Sequence, residues 1–134
     1  MTLKRMTKDD VPRSFGAFKP VGHVVLAFAD DAQASRAAQA LRHEGFGAAD
    51  IVQYSAVEEA ETMRDLLGAA SGTAEFGHEV LLMRRYRELA EQGCGWLVVF
   101  APDDAHAERV ARVARRCEAR LAEKYHRLVV EDLI

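Results

Sequence analysis

Two cysteines are all that the 134 residues contain, Cys94 and Cys117. They have neither metal-ligand spacing nor the number that a disulfide framework needs, so a stapled secreted scaffold is excluded and a reduced, cytoplasmic protein is expected. No apolar run approaches the ~20 residues of a membrane helix. The opening stretch "MTLKRMTKDDVPRSFGAFKP" carries charges but no apolar signal core, so neither membrane insertion nor secretion is expected. Excess positive charge is missing too. The net charge of -3 provides no global field for nucleic acid or an anionic membrane.

What remains is the composition of one globular domain. Hydrophobic residues make up 49%, enough for a real core at this length. Residues 1–20 read as an arm, with Pro12 and Pro20 as breakers. Five bases (Lys4, Arg5, Lys8, Arg13, Lys19) outnumber two acids (Asp9, Asp10), and Phe15 and Phe18 would pin the arm to the body. Residues 21–134 form the domain.

The domain nearly repeats itself. "FADDAQA" begins at Phe28 and "FAPDDAHA" at Phe100, each after an apolar run and before an alanine- and arginine-rich segment. "HVVLAF" (His23 to Phe28) and "GWLVVFA" (Gly95 to Ala101) are apolar on both alternating faces and predict central strands. Asp30 or Asp31, and Asp103 or Asp104, supply N-caps for the helices that follow. Ala34, Ala38 and Leu41 line the first helix, and Gly45 with Phe46 predicts its Schellman stop. "DIVQYS" (Asp50 to Ser55) reads as an edge strand.

Two further helices are predicted between the halves. Ser55 and Glu58 have capping-box spacing, and Ala60, Met63 and Leu67 would line the buried side of the first. "GAASG" from Gly68 breaks it. The second runs from about Ala74 to Gln92 on Phe76, Val80, Met83, Tyr86 and Leu89 or Ala90. In the last helix Val110, Ala114, Cys117 and Leu121 form the inner stripe, and "RLVVEDL" (Arg127 to Leu133) is the last strand. The order β-α-β-α-α-β-α-β predicts an α+β domain: a ferredoxin-like split βαβ pair with a four-stranded sheet and two inserted helices. Right-handed crossovers place the first and last helices on one face. The other face is equally apolar and needs a cover, for which the inserted helices, the arm and a second subunit compete. The third helix with a homodimer is the favoured combination.

Chemistry is harder to find. Capping accounts for both aspartate pairs without a metal. "HEVLL" at His78 lacks the second histidine of a zinc-protease helix, and no metal or cofactor is expected. Cys94, between two glycines, has no identifiable base and suits a tight turn; Cys117 reads as core. "GAASGT" resembles an anion cradle but lacks the P-loop lysine, and a linker capped by Thr73 suits it better. Arg109, Arg112, Arg116 and Arg120 make a candidate anion-binding stripe, and Glu58, Glu59, Glu61 and Asp65 on the second helix make a complementary acidic group; a solvated or ion-paired face is the plainer reading. A pocket between sheet and inserted helices would be lined by His23, Tyr54, His78 and Trp96.

The two halves, "GHVVLAFADDAQASRAAQALRHEGFGAADIVQYS" and "GWLVVFAPDDAHAERVARVARRCEARL", resemble the bacterial general (heat-induced) stress protein family. The resemblance implies a small α+β domain of unassigned biochemistry and carries no catalytic residues. The leading expectation is a non-enzymatic stress-associated or regulatory module that works through homodimerisation and a protein or small-molecule partner. A small-molecule enzyme using the pocket is the alternative, and nucleic-acid binding through arm and arginine stripe is the third.

Overall fold

The computed structural model describes residues 3–14, 17–69 and 77–134. In chain order the elements are a hairpin of β1 (Arg13–Ser14) and β2 (Ala17–Phe18), then β3 (His23–Phe28), α1 (Asp31–His43), a 3-10 turn (Ala48–Asp50) and β4 (Ile51–Tyr54). There follow α2 (Ala56–Ala69), α3 (His78–Glu91), β5 (Gly95–Phe100), α4 (Asp104–Arg116), β6 (Leu121–Tyr125) and β7 (Val130–Asp132). The main sheet is antiparallel with strand order β4-β5-β3-β6-β7. Phe15, Phe76 and the "GAASGT" cradle (apart from Gly68 and Ala69, which close α2) fall outside the described residues. Among the described residues no helix is long and apolar enough to cross a membrane.

The two apolar strands lie side by side. His23 pairs with Phe100 and Phe28 with Gly95, and all of β3 is buried. The quoted repeat marks equivalent strand-to-helix junctions: Asp30 accepts from the Gln33 N–H and Asp103 from the His106 N–H, each opening a 13-residue helix. Val24, Leu26, Phe28, Leu97 and Val99 face α1 and α4, whose inner sides are mostly alanine and valine. Small side chains let these helices approach closely. At Gly95 the approach is closest, since a Cβ there would lie 2.7 Å from both the Asp30 carbonyl oxygen and the Asp31 Cα.

Val25, Ala27, Trp96 and Val98 form the opposite face, covered by α2, α3 and the arm through Met6, Ala17, Phe18, Met63, Leu66, Val80, Met83 and Tyr86. The chain thus shelters its own second face, and a second subunit is not needed for that task. The arm is held by charge as well as packing: Arg5 meets Asp50, Lys8 meets Glu58 and Lys19 meets Glu79, while Lys4 pairs with Asp10 within the arm.

The sheet has five strands, not the expected four, and the difference begins at Cys117. The apolar spacing from Val110 to Leu121 predicts one helix, but α4 stops at Arg116. Glu118 takes a left-handed conformation (φ 56°), and the Ala119 N–H closes on the Ala114 carbonyl at 2.8 Å, a Schellman stop without glycine. "LAEKY" then becomes β6 although Ala, Glu and Lys are helix formers, because β3 offers an open edge and pairing overrides propensity. β7 occupies only part of "RLVVEDL", leaving Leu128 and Val129 exposed. The inner face of α2 is turned by one residue from expectation: Glu59, Met63 and Leu66 are buried, with Ala60 and Leu67 only partly so.

Two substitutions check these packing arguments. Gly95→Ala should cost about 1–3 kcal/mol by forcing α1 off β5. Glu118→Gly should add about 0.5–1 kcal/mol by relieving the left-handed strain. Urea unfolding of each variant against the parent reads both signs.

Candidate functional site

The four residues expected to line one pocket separate into three places. Tyr54 and Trp96 are direct cross-strand partners on β4 and β5, both buried on the second face. His23 sits at the far end of β3 beside Phe100, with ring centroids 5.2 Å apart. Its Nε2 accepts the Met6 N–H at 3.0 Å, so the proton sits on Nδ1, which donates to the Val21 carbonyl at 3.1 Å. Burial lowers its pKa and keeps it neutral; this histidine anchors the arm. His78 is the first residue of α3 and is exposed.

A residue that the sequence reading placed in a solvated acidic group completes the Tyr54–Trp96 region. Glu59 is 3% exposed, on the side of α2 that carries Met63 and Leu66 against the sheet. Burial alone pushes its carboxyl up to about 8, so it is a neutral acid at pH 7. Among the described residues no hydrogen bond reaches its carboxyl. The charge it would carry is felt at Tyr54 and Tyr125. Burial, then Glu59 and Glu58, pushes Tyr54 up to about 12. The signal for Glu59 was present in the i, i+4, i+7 spacing of Glu59, Met63 and Leu66, but an acid at that spacing reads as surface.

Trp96 supplies the unsatisfied group of this region. Its side chain is fully buried, its ring lies 5.2 Å from that of Tyr86, and its Nε1–H has no acceptor among the described residues. A buried donor left unpaired costs about 1–3 kcal/mol, which natural cores avoid unless something else retains it. Next to it is a network that is satisfied. Tyr86 donates to Glu123 at 2.6 Å, so Tyr125 must be the donor in the 2.9 Å contact with the Tyr86 hydroxyl. Burial first, and then the neighbouring Tyr125 and Glu123, holds Tyr86 well above its ordinary pKa. All three tyrosines are neutral at pH 7, and Tyr86 and Tyr125 are joined by the hydrogen bond between their hydroxyls.

The cluster therefore offers uncharged donors: the protonated Glu59 carboxyl and the Trp96 N–H. It suits a neutral guest with acceptor oxygens or nitrogens, and it would repel an anion once Glu59 ionises. α2 is the cover that could yield, because one of its three buried side chains is this unpaired acid.

The arginine stripe does not hold together. Arg109 turns inward to the Glu44 carbonyl and over the Phe46 ring, and Arg120 lies beyond the end of α4, near the Cys94 sulfur. Arg112 and Arg116 remain exposed on the helix. Cys94 is fully buried behind the positive-φ turn at Gly93, whereas Cys117 is the C-cap of α4. Among the described residues no three His, Cys, Asp or Glu converge in metal-binding geometry. Comparison with protein-family models, curated proteins and solved structures found no match.

The Glu59 environment makes a pH prediction. The carboxyl ionises near 4.5 in the unfolded chain and near 8 in the fold. Its contribution is intact below about pH 4.5 and is lost as pH rises through about 8, a change of roughly 5 kcal/mol for a shift of this size. Stability measured by urea between about pH 5 and 9 should fall on the alkaline side, and Glu59→Gln should flatten that fall.

Proposed function

We propose that this chain is a non-enzymatic module, in the manner of the stress-protein family its halves resemble, that binds a small uncharged ligand between the sheet and α2. The observation that carries the reading is the unpaired Trp96 Nε1–H, fully buried in the same apolar cluster as Tyr54 and on the face that Glu59 enters. A buried donor left unpaired beside a buried neutral carboxyl is costly unless a bound acceptor satisfies it.

The same reading takes the domain as an elaborated ferredoxin-like fold. In support, β4-β5-β3-β6 have the order of a split βαβ pair, with α1 and α4 together on one face. On this view α2, α3, β7 and the arm are additions, and the additions other than β7 cover the proposed ligand site. Homodimerisation, on this view, uses the outer strands β4 and β7, the two ends of the main sheet.

A second reading, an enzyme of small molecules, is favoured by the burial of Glu59, which pushes its carboxyl up to about 8, the range of general acid–base work near neutral pH. Nucleic-acid binding has less support, because four of the arm's bases already face acids.

Trp96 is the only tryptophan, so its emission reports on the site without labels. Native mass spectrometry of freshly purified protein should show an added small-molecule mass. Titration of the stripped protein with that compound should shift Trp96 emission, and Glu59→Leu should weaken the titration at least about tenfold while raising thermal stability. A bare polypeptide mass, with no emission change across a library of neutral carbonyl and heterocyclic compounds, would sink the ligand reading. Turnover of the compound would replace it with the enzyme reading.

A further inference from the structure

On the sheet face opposite Glu59 and Trp96, a lysine stands where the strand alternation asks for an apolar residue. Ala122 on β6 packs in the α1–α4 core, and Lys124, two residues on, is only 3% exposed. The chain is rich in arginine, and its three other lysines, Lys4, Lys8 and Lys19, all lie in the arm. An arginine at position 124 would stay charged at any pH, whereas a lysine can give up its proton when buried.

The Lys124 Nζ donates to the Ala101 carbonyl at 2.5 Å, just ahead of the Asp103 cap of α4. Lys124 is one of the residues lining a cleft of ≈ 400 Å³, with Leu3, Val21, Pro102, Asp104, His126 and Arg127. We propose that this cleft captures small aldehydes as an imine on Nζ of Lys124. The site is independent of the ligand reading above, with different residues on a different face.

A neutral amine has two N–H bonds and a lone pair. One N–H serves Ala101, which leaves the lone pair for attack. Burial lowers the Lys124 pKa and favours that neutral form, against the opposing pull of Asp104, Asp103 and Glu131. The nitrogen attacks the carbonyl carbon, a C–N bond forms, and the C=O π pair moves to oxygen. The Asp104 carboxylate takes the proton that nitrogen releases and returns it to that oxygen. The resulting carbinolamine loses one water as the C=N bond forms, so no oxidant or reductant is consumed. The neutral imine takes up one proton from solvent, and the same three carboxylates stabilise the resulting cation. His126 is already occupied by Glu131 at 2.9 Å. Leu3, Val21 and Pro102 provide an apolar wall for the aldehyde's carbon chain.

The test uses the full chain, limiting propionaldehyde and sodium cyanoborohydride at neutral pH, with the alkylated lysines quantified by peptide mass spectrometry. Lys124 should be labelled about tenfold faster than Lys4, Lys8 and Lys19, despite being the least exposed of them. Asp104→Asn should slow Lys124 at least about threefold and leave the arm lysines unchanged, a pattern that general unfolding would not produce. Labelling of Lys124 at or below the rate of the arm lysines in the folded parent protein would overturn the proposal.

Discussion

β3 and β5 are hydrogen-bonded along their full length, and neither has a face that tolerates water. An antiparallel pair of that kind needs two covers, and the rest of the chain supplies them. One cover is close and regular: α1 and α4 bring alanines and valines against Val24, Leu26, Leu97 and Val99. The other is assembled from the α2–α3 insertion and the arm, with larger and more irregular side chains such as Met83, Tyr86 and Phe18.

That asymmetry places the polar groups. The regular side admits one exception, Lys124, whose Nζ reaches the Ala101 carbonyl. The assembled side takes in Glu59, Trp96 Nε1 and the Tyr86–Glu123–Tyr125 network. A satisfied network stiffens a core; unpaired groups beside it weaken their cover. The arm then matters beyond packing, since the His23 bond to Met6 and the Lys8 contact over Tyr54 tie it to both ends of the second face.

Local signals were readable where the chemistry is local. The Ser55–Glu58 capping box forms in both directions, at 2.9 and 3.1 Å. Gly45 takes φ 100° and the Phe46 N–H returns to the Leu41 carbonyl, as the Gly-Phe pair implied. Both aspartate caps are where the repeat put them. β6 was not readable, because "LAEKY" has helical composition and the stop before it falls on Glu118 instead of glycine. Of the pocket residues, Tyr54 and Trp96 were placed correctly together, since strand alternation sets their faces. His23 shares their face but lies at the far end of β3, a distance that strand alternation does not set.

By itself the sequence determined the two apolar strands, their capped helices and the need for shelter on both faces, because each depends on residues within a few positions of one another. Only the tertiary structure decided what the shelter is, which way α2 turns, and that an acid and a lysine are buried on opposite sides of one sheet. The reason is physical: whether a charged side chain meets water or protein depends on elements distant in sequence, and a turn of one residue about a helix axis is enough to exchange the two.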